Sequence, residues 1–531
     1  MKSSEVEKAL KLMKKNLAKQ YNLNKTPSNI ELLNYLSVKP KEIITKPTRT
    51  ISGVAPIAIM TKPHKCPHIK TGIGPCIMCP GGIKSYFGSV PQSYTGKEPA
   101  TMRAIRNNYD PYLQIFNRLE QYVLLNQNFE KTEIIIMGGT FPSLSKKYQQ
   151  EFVTYIFKAL NDFSELFFKD DKFDFLKFKK FFELPGDVKD RKRTINIHKK
   201  LLKLKKKSSL EKEQLKNENS KIKCVALCIE TRPDYCTQKE INEMLKLGCT
   251  RVELGVQSIY DDVLEKINRG HKVNETIKAT RLLKENGLKV IFHLIPGLPG
   301  SSYKKDLEMF KTIFNNDDFK PDGLKIYPCI VIKGTKLYNL WKNKKYIPLT
   351  LEKITKLLIE AKKFIPEYCR VMRVERDISS KVIEAGIKMT NLRQYIHEKG
   401  AVCRCIRCRE IKNENIEKVE FKILEYNASN GKEYFISAES NDKIVGFCRL
   451  RLDKKAIIRE LHVYGSAISL GKKGKIQHKG YGIKLMKIAE NIAKKNYKKI
   501  FVIAGIGVKN YYKNKLGYKK DGFYMSKILN K

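Results

Sequence analysis

HKCPHIKTGIGPCIMCPGG, from His64 to Gly82, places three cysteines on one loop rich in glycine and proline. Cys66, Cys76 and Cys79 have the spacing C-x9-C-x2-C. Because soft thiolate ligands select iron–sulfur clusters or zinc, the loop predicts one of these two centres. Three thiolates can hold three irons of a 4Fe–4S cluster and leave the fourth iron open to S-adenosylmethionine, which makes the cluster a radical generator. A zinc knuckle is the alternative that this stretch alone leaves open.

On both sides of this loop, apolar β-rich runs alternate with longer helical patterns. The runs are APIAIM (55–60), EIIIMGG (133–139), KCVALCIE (223–230), RVELGVQS (251–258), KVIFHLIPG (289–297) and LKIYPCIV (324–331). Near-continuous Ile, Val and Leu runs of this kind indicate a parallel sheet that is covered on both faces. About six βα units predict a partial or full TIM-type barrel, with its chemistry at the C-terminal ends of the strands.

Polar residues and glycines that could take part in binding or catalysis lie at those strand ends. Gly138 and Gly139 leave bare backbone that an amino-acid moiety can approach closely. Any one of the other residues could be a structural ion pair, but their order behind the cysteine loop favours a cofactor pocket. We predict that two of them, His293 and Lys325, are catalytic. The residues expected to line this pocket with them are Gly138, Gly139, Thr140, Glu230, Arg232, Glu253, Gln257, Arg269 and His271.

Length and composition limit the number of domains and the kinds of protein that this chain could be. The 531 residues suffice for two to four domains, and the 42% hydrophobic content excludes a disordered chain. Lys and Arg outnumber Asp and Glu by 104 to 55, so the net charge of +49 favours nucleic acid as a partner, although a Lys-rich proteome is an alternative source. No apolar run reaches the ~18 residues of a membrane span. We expect a cytoplasmic protein, and 13 cysteines in short spacings suit metal ligation there better than disulfides.

Two basic segments are candidates for RNA contact. Residues 1–50 predict a helical arm, with a first amphipathic helix and a second helix in SNIELLNYL that Ser28 can cap. This arm either grips a phosphate backbone or packs as a solvated helix. At about 186–222 we predict an exposed insertion or linker, since ten of the nineteen residues from Lys189 to Lys207 are Lys or Arg. It either contacts RNA or forms a solvated helical hairpin.

A second cysteine group lies in CRCIRCRE, where Cys403, Cys405 and Cys408 are spaced C-x-C-x2-C. Short cysteine spacings suit tetrahedral zinc, and a second iron–sulfur cluster is the competing interpretation. The fourth zinc ligand could be His397, a distant cysteine such as Cys329 or Cys369, or water. Residues 396–416 are therefore predicted to be a zinc-binding linker.

From about residue 417 the pattern changes to antiparallel strands and one long helix. Strands are predicted in FKILEYN, KEYFISAE, KIVGFCRLRL and AIIRELHVYG, before the loop QHKGYG and the helix IKLMKIAENIAKKN. The loop from Gln477 through Gly480 to Gly482 offers free backbone N–H groups at a helix start, which is typical of a pyrophosphate site. With IFVIAGIG and NYYKNKLGY behind it, this series resembles the GNAT acyltransferase fold.

The GNAT resemblance implies roles for particular residues. It implies that a splayed strand binds the pantetheine of acetyl-CoA and that the glycine-rich loop takes the pyrophosphate. It also implies that Tyr512 lies near the thioester with Tyr511 beside it, and we predict that both tyrosines are catalytic. The implied acetyl-CoA residues are Glu460, Leu461, His462, Val463, Gln477, Gly480, Tyr481, Gly482, Ile483 and Tyr512.

The whole chain is similar to one family, the catalytic subunit of Elongator. The motifs that carry the resemblance are PHKCPHIKTGIGPCIMCPGG, MGGTF, IETRPDYC, RVELGVQS, NRGH, DGLKIYP, RELHVYGSA, QHKGYG and NYYKNKLGY. The resemblance implies a radical S-adenosylmethionine domain over 51–395 and a GNAT domain over 417–531. It also implies an enzyme that modifies C5 of the wobble uridine, U34, in the anticodon stem-loop of tRNA. Lys131 matches a family position implicated in acetyl-CoA binding, with an ordinary exposed lysine as the alternative.

The resemblance also implies a reaction course. A deoxyadenosyl radical takes hydrogen from the acetyl methyl group of acetyl-CoA, and the carbon radical adds to C5. Loss of one electron and one proton then restores the uracil ring, and thioester hydrolysis leaves 5-carboxymethyluridine. The implied cofactors are a 4Fe–4S cluster, S-adenosylmethionine, zinc and the co-substrate acetyl-CoA. Nothing in the chain supplies other Elongator subunits, which is typical of an archaeal member that works alone. Protein lysine N-acetylation with a structural iron–sulfur cluster is the alternative function, and a non-catalytic RNA-binding scaffold is a third.

Overall fold

The structure is a computed structural model that describes residues 3–22, 24–35, 45, 50, 52–187, 190–412, 416–465 and 480–530. The elements up to the middle of the chain are α1 (Ser3–Gln20), α2 (Asn29–Tyr35), β1 (Ala55–Met60), β2 (Gly82–Ser85), β3 (Gly88–Val90), α3 (Pro99–Arg106), α4 (Pro111–Leu124), β4 (Lys131–Met137), α5 (Lys146–Phe167), β5 (Phe168–Lys169), β6 (Lys172–Phe173), α6 (Phe175–Phe181), α7 (Arg191–Leu204), α8 (Leu210–Asn217), β7 (Lys223–Thr231), α9 (Gln238–Lys246), β8 (Arg251–Gln257), α10 (Asp261–Lys266) and α11 (Val273–Glu285).

The remaining elements continue the same alternation and then change to antiparallel strands. They are β9 (Lys289–Leu294), α12 (Tyr303–Asn315), β10 (Gly323–Ile326), β11 (Val331–Ile332), α13 (Lys336–Lys342), α14 (Leu351–Lys363), β12 (Arg370–Arg373), β13 (Ile383–Ala385), α15 (Leu392–Glu398), α16 (Ile406–Arg409), β14 (Glu420–Ala428), β15 (Gly431–Ser440), β16 (Lys443–Leu452), β17 (Ala456–Val463), α17 (Tyr481–Lys494), β18 (Lys499–Val502), α18 (Lys509–Leu516), β19 (Lys519–Asp521) and β20 (Tyr524–Ile528).

A seven-stranded parallel sheet forms the first half of the molecule. Its strand order, β1-β4-β7-β8-β9-β10-β12, is the order of the strands along the chain. Ala55, Ile57 and Ile59 of the edge strand are fully buried, as expected for strands that helices cover. Because β1 and β12 do not pair, the sheet is an open partial barrel. This prediction is confirmed, with β12 as a seventh strand that the sequence did not indicate.

The second half is a mixed seven-stranded sheet in the order β14-β15-β16-β17-β18-β20-β19. Every pairing is antiparallel except that of β17 with β18. The parallel pairing covers only Ala456–Ile458 of β17, so the later part of this strand diverges from β18. The described residues contain no helix with the length and apolarity that crossing a bilayer requires.

The basic segment at about 186–222 differs from the exposed insertion or linker predicted for it. Ile197 and Leu201 of α7 and Leu210 of α8 are buried, and Arg193 forms a buried ion pair with Glu120 at 2.5 Å. The segment is thus a fixed part of the connection from β4 to β7. Lysines alone suggested a solvated stretch, whereas the apolar residues between them pack on the domain. In the N-terminal arm, Ser28 caps α2 as predicted, since its Oγ accepts from the Glu31 N–H at 3.2 Å.

The two halves meet across buried charges at the N-terminal ends of the parallel strands. Asp322, which directly precedes β10, accepts from Arg459 of β17 at 2.6 and 2.9 Å. Arg459 also pairs with Glu433 of β15 at 2.9 Å, and all three side chains are at most 1% exposed. A second pair, Lys289 with Glu460, crosses the same interface. The mixed sheet therefore covers the end of the barrel opposite to its strand C-termini.

Candidate active site

The cysteine loop lies over the C-terminal ends of the parallel strands and is fixed by His68. The Nε2 of His68 is 2.7 Å from the Asp234 carboxylate, and Arg232 donates to its Nδ1 at 3.1 Å. Gly270 has a φ of +75°, and a Cβ there would lie 2.0 Å from His68 Nδ1. Glycine is therefore required at this position of the NRGH motif for the loop to close.

The three thiols of the loop experience different electrostatic environments. Burial raises the pKa of Cys66 and is the main cause of the raised pKa of Cys79. Burial also acts on Cys76, but the guanidinium groups of Arg269 and Arg232 lower its pKa below the ordinary value. Cys76 is thus the thiol most readily held as a thiolate, the form that binds metal.

The spacing of the thiols discriminates between one ion and a cluster. Among the described residues, the sulfurs of Cys403, Cys405 and Cys408 lie within 4.8 Å of one another, whereas Cys66, Cys76 and Cys79 form no group that tight. A tetrahedral zinc with Zn–S bonds of about 2.3 Å needs the closer arrangement. The wider one leaves room for a cluster, so the cysteine loop fits 4Fe–4S better than zinc.

A cavity of about 180 Å³ opens beside this loop. The predicted residues that line it are Cys66, Cys76, Cys79, Gly139, Thr140, Glu230, Arg232, Glu253, Gln257, Arg269, His293 and Lys325. Gly138 lies next to the cavity, where a Cβ would come within 2.4 Å of Thr61 Oγ1. Within the part of the chain that the structure describes, the buried polar atoms Gln92 Oε1, Thr231 Oγ1 and Gln257 Oε1 have no hydrogen-bond partner. Such atoms suit a polar ligand.

An ammonium group occupies the base of the cavity. Lys325 Nζ lies 3.2 Å from the Glu230 carboxylate and pairs with Glu253, which also accepts from His293 Nε2 at 2.9 Å. Burial would raise the pKa of Glu253, but Lys325 is the main cause that holds it well below its ordinary value. Donor atoms of Glu230, Glu253 and His293 converge closely enough for a metal ion, and Lys325 supplies the positive charge there instead.

Several lining residues were missing from the predicted set: Gln92, Tyr94, Tyr327, Arg373 and Arg376. Tyr94 donates to Glu230 at 3.2 Å, and Arg376 donates to the Ser93 carbonyl at 2.7 Å. Tyr327 comes two residues after Lys325 in the motif DGLKIYP, which could have indicated it. The two arginines lie at or beyond the end of β12. Because the apolar pattern of the sequence does not indicate this strand, it does not indicate these two residues either.

The second cysteine group has one close neighbour that can complete a tetrahedron. His397 Nε2 is 3.7 Å from Cys408 Sγ and 2.9 Å from Lys362 Nζ. Cys329 packs in a different apolar cluster, whereas Cys369 is fully buried, as Cys405 of the group itself is. Of the candidates for a fourth ligand, His397 is the one with a short contact to a cysteine of the group.

In the second half, the residues expected to hold acetyl-CoA converge at the diverging part of β17. Glu460 to Val463 follow the last residue that pairs with β18. Gly480, with a φ of +84°, precedes α17, which begins at Tyr481, and Ile483 is 45% exposed. A Cβ on Gly482 would lie 3.0 Å from the Tyr511 hydroxyl and 3.8 Å from the Leu461 side chain. Gln477 lies outside the described residues.

Glu460 of this strand is not free to act as a base. Burial alone would raise the pKa of Glu460, but Lys289 and Arg449 lower it to about 2. His462 Nε2 is 2.8 Å from the Ser52 carbonyl. Tyr512 is buried with its ring 5.5 Å from that of Tyr511, and burial raises its pKa. The tyrosine can therefore donate a proton or hydrogen bond, whereas Glu460 stays an ionised partner of two cations.

Lys131 lies at the start of β4, so the seven residues of that strand separate it from Gly138 by roughly 20 Å. It pairs in register with Lys223, whose Cβ would be 2.6 Å from a Cβ on Gly507 of the second half. Burial lowers the pKa of Lys131 to about 8. Its position is thus on the side of the barrel that faces the mixed sheet and not in the cavity.

Family models match the two halves separately. The Radical SAM superfamily matches residues 66–313, the Radical_SAM C-terminal domain matches 321–400, and the Acetyltransferase (GNAT) family matches 404–518. The predicted fold class, a radical S-adenosylmethionine partial barrel followed by a GNAT domain, is confirmed.

Relatives match nearly the whole chain. A tRNA uridine(34) acetyltransferase of Methanocaldococcus infernus is 46% identical, over 95% of this chain and 92% of that protein. Elongator complex protein 3 of Saccharomyces cerevisiae is 38% identical, over 96% of this chain and 90% of that protein. The solved structure of the archaeal Methanocaldococcus infernus Elp3 with an N-terminal deletion covers 90% of this chain and 100% of its own, with 40% identity and a TM-score of 0.71. The chain therefore belongs to the family of archaeal tRNA uridine(34) acetyltransferases and Elongator complex protein 3.

Proposed function

We propose that this protein transfers an acetyl-derived group from acetyl-CoA to C5 of U34 in tRNA, giving 5-carboxymethyluridine. The observation that carries the proposal is the pairing, in one chain, of a three-cysteine cavity with an acyltransferase fold across a buried ionic interface. A function that used only the three-cysteine cavity, or only the acyltransferase fold, would not account for the presence of the other half. A radical route suits this bond, because neither C5 of uracil nor an acetyl methyl group reacts easily by ionic chemistry.

In the cavity, Cys66, Cys76 and Cys79 would hold the cluster, and the unpartnered oxygens of Gln92 and Gln257 would bind S-adenosylmethionine. A cluster with one open iron supplies a deoxyadenosyl radical when this cofactor is bound. A Cβ on Gly139 would come within 2.7 Å of Gln92 Oε1, so glycine keeps the backbone open to the ligand there.

Glu230, Glu253 and Lys325 form a fixed set of charges at the base of the cavity, and His293 is hydrogen-bonded to Glu253. Because the three charged groups are already ion-paired, they need little reorganisation when polarity changes during the reaction. We assign these four side chains the positioning of the substrate. A splayed-out anticodon base can enter such a cavity without melting a duplex.

In the second half, the diverging strand from Glu460 to Val463 and the start of α17 would bind acetyl-CoA, with Tyr511 and Tyr512 beside the thioester. The state of Glu460 speaks against the alternative of protein lysine N-acetylation. A general base for an amine works best with a pKa near the working pH, whereas that of Glu460 is about 2. The ion pairs of Glu460 with Lys289 and Arg449 therefore leave it poorly suited to accept a proton from a lysine substrate.

The RNA partner would be held by basic surfaces. The net charge is +49, and the exposed side of α7 presents Lys192, Lys199 and Lys203 next to its packed face. With the basic helix α1, these side chains would contact the phosphates of the anticodon stem-loop. We place the reaction in the cytoplasm, with no membrane partner and no other Elongator subunit required.

The test is an anaerobic reaction of reconstituted protein with a reductant, S-adenosylmethionine, acetyl-CoA and unmodified tRNA. We expect 5-carboxymethyluridine and 5'-deoxyadenosine to form together, as measured by nucleoside mass spectrometry. A parallel reaction replaces the tRNA with a lysine-bearing peptide, on which we expect no acetylation. Acetylated peptide in the second reaction and unmodified tRNA in the first would establish the lysine acetyltransferase instead.

We further propose that Cys403, Cys405, Cys408 and His397 bind structural zinc. We expect Cys403→Ser to lose about one zinc per chain and to lower the melting temperature, because the metal joins the segment between the two halves. Absorbance of the iron–sulfur cluster should persist in this variant. Metal analysis and visible spectra measure both, and loss of the cluster signal would show that the two metals are wrongly assigned.

A further inference from the structure

Arg269 is a buried cation that contacts Cys76 of the cysteine loop directly, whereas Arg232 contacts His68 of the same loop. The Nη1 of Arg269 lies 3.5 Å from Cys76 Sγ, and its side chain belongs to a residue only 7% exposed. The Nε donates to His271 Nε2 at 3.1 Å, and Nη2 donates to the Gly255 carbonyl. The Nε, Nη1 and Nη2 groups of Arg269 are therefore all engaged in contacts, and these contacts hold the positive charge beside Cys76.

The surroundings of Arg269 are built to keep it there. Burial and the nearby guanidinium groups lower the pKa of His271 to about 3, so its neutral ring can accept from Arg269. A Cβ on Gly255 would lie 2.7 Å from Arg269 Nη2, so only glycine leaves space for the guanidinium at this point of β8. Arg232 donates to the Arg269 carbonyl and holds its backbone. The motifs ELGVQ and NRGH thus converge on one side chain.

The contacts of the thiols are unequal. Cys76 receives a charged donor, whereas Cys79 receives the neutral backbone N–H of Ser93 at 3.2 Å. Charge-assisted hydrogen bonds are stronger than neutral ones, and hydrogen bonds to ligand sulfurs help to set the reduction potential of a cluster. A positive charge in a poorly polarisable site also stabilises any added negative charge nearby.

We propose that Arg269 is a positioning residue that raises the reduction potential of the iron–sulfur cluster on Cys66, Cys76 and Cys79 by its charged hydrogen bond to Cys76. This inference rests on the proposed function, which assigns the cluster to these cysteines. In the step concerned, an external one-electron donor is oxidised and the cluster gains one electron. No bond forms or breaks and no proton moves. Arg269 stabilises the reduced form and so brings it within reach of the donor.

The experiment compares reconstituted full-length wild type with Arg269→Met, Arg269→Lys and Arg373→Met. Arg373 lines the same cavity but pairs with Asp377, so it is the matched control. Iron content and visible absorbance establish cluster assembly in each protein. Redox titration followed by electron paramagnetic resonance then gives the midpoint potential, without tRNA or acetyl-CoA.

We expect the potential to become more negative in Arg269→Met, to shift less in Arg269→Lys, which keeps the charge, and to stay unchanged in Arg373→Met. Equal potentials in all four proteins would overturn the inference and leave the proposed function intact. If Arg269→Met assembles no cluster, Arg269→Gln replaces it as the uncharged variant. A more negative potential in Arg269→Gln than in Arg269→Lys then supports a charge effect, and equal potentials in both variants and wild type refute it. Failure of the wild type to assemble a cluster would instead refute the proposed function.

Discussion

We expect the Cys76→Ser protein to form neither 5'-deoxyadenosine nor 5-carboxymethyluridine above background. Serine oxygen is a hard ligand that stays protonated, so it cannot replace a thiolate on iron. Cys76 also has the lowest thiol pKa of the loop relative to its ordinary value, because Arg269 and Arg232 oppose the effect of burial. The measurement is mass spectrometry of both nucleosides after an anaerobic reaction, together with iron content.

The control for this prediction is Cys249→Ser. Cys249 is buried two residues before β8, outside the cavity, and its thiol donates to the Arg251 carbonyl at 3.1 Å, a contact that a hydroxyl can keep. We expect this variant to form both products. Carboxymethyluridine in the Cys76→Ser reaction would mean that the cysteine loop does not carry the radical chemistry.

The buried ion pair between Asp322 and Arg459 is expected to make a large contribution to stability. We expect Asp322→Asn to destabilise the protein by about 3–5 kcal/mol, because breaking a buried ion pair leaves its partner uncompensated. Asp322 and Arg459 are both fully buried, and Asn cannot neutralise the guanidinium. Thermal unfolding followed by circular dichroism measures the change. Asp262→Asn is the control, since Asp262 pairs with Lys305 at the surface and should leave the melting temperature unchanged.

The same residue gives a pH dependence of known sign. Burial would raise the pKa of Asp322, but Arg459 and Arg449 hold it far below its ordinary value. A depressed folded pKa stabilises the protein above the unfolded pKa of about 3.9, and this contribution disappears as the pH falls below it. Wild type should therefore lose stability from about pH 4 downward more steeply than Asp322→Asn. Parallel acid unfolding curves would contradict the ion-pair account.

The sequence was a good guide to the parts of the fold that depend on local pattern. Continuous apolar runs marked six of the seven parallel strands, because burial on both faces leaves no polar alternation. It missed β12, whose four residues begin and end with arginine. The basic segment around α7 was assigned to the surface for a related reason, since its few buried residues are separated by lysines.

For the site, spacing and strand ends gave most of the cavity lining, because the C-terminal ends of parallel strands meet at one edge. They could not give Tyr94 or Arg376, which reach the cavity from loops. Nor could they show that Lys325 neutralises Glu230 and Glu253, since ion pairing depends on side-chain direction across three strands. The charges between the two halves are equally invisible, because Asp322 and Arg459 are 137 residues apart.

The interface between the halves has a consequence for synthesis of the chain. A ribosome completes all seven strands of the partial barrel before it has made Arg449 or Arg459. Until then Asp322 and Lys289 have no partners from the second half, and the barrel has a polar, uncovered underside. The first half is therefore not fully stabilised during synthesis until the final quarter of the chain, which contains Arg449 and Arg459, has been made. If either half were expressed alone, the charged side chains of the interface would lack their partners and would be exposed, although they are buried in the folded protein.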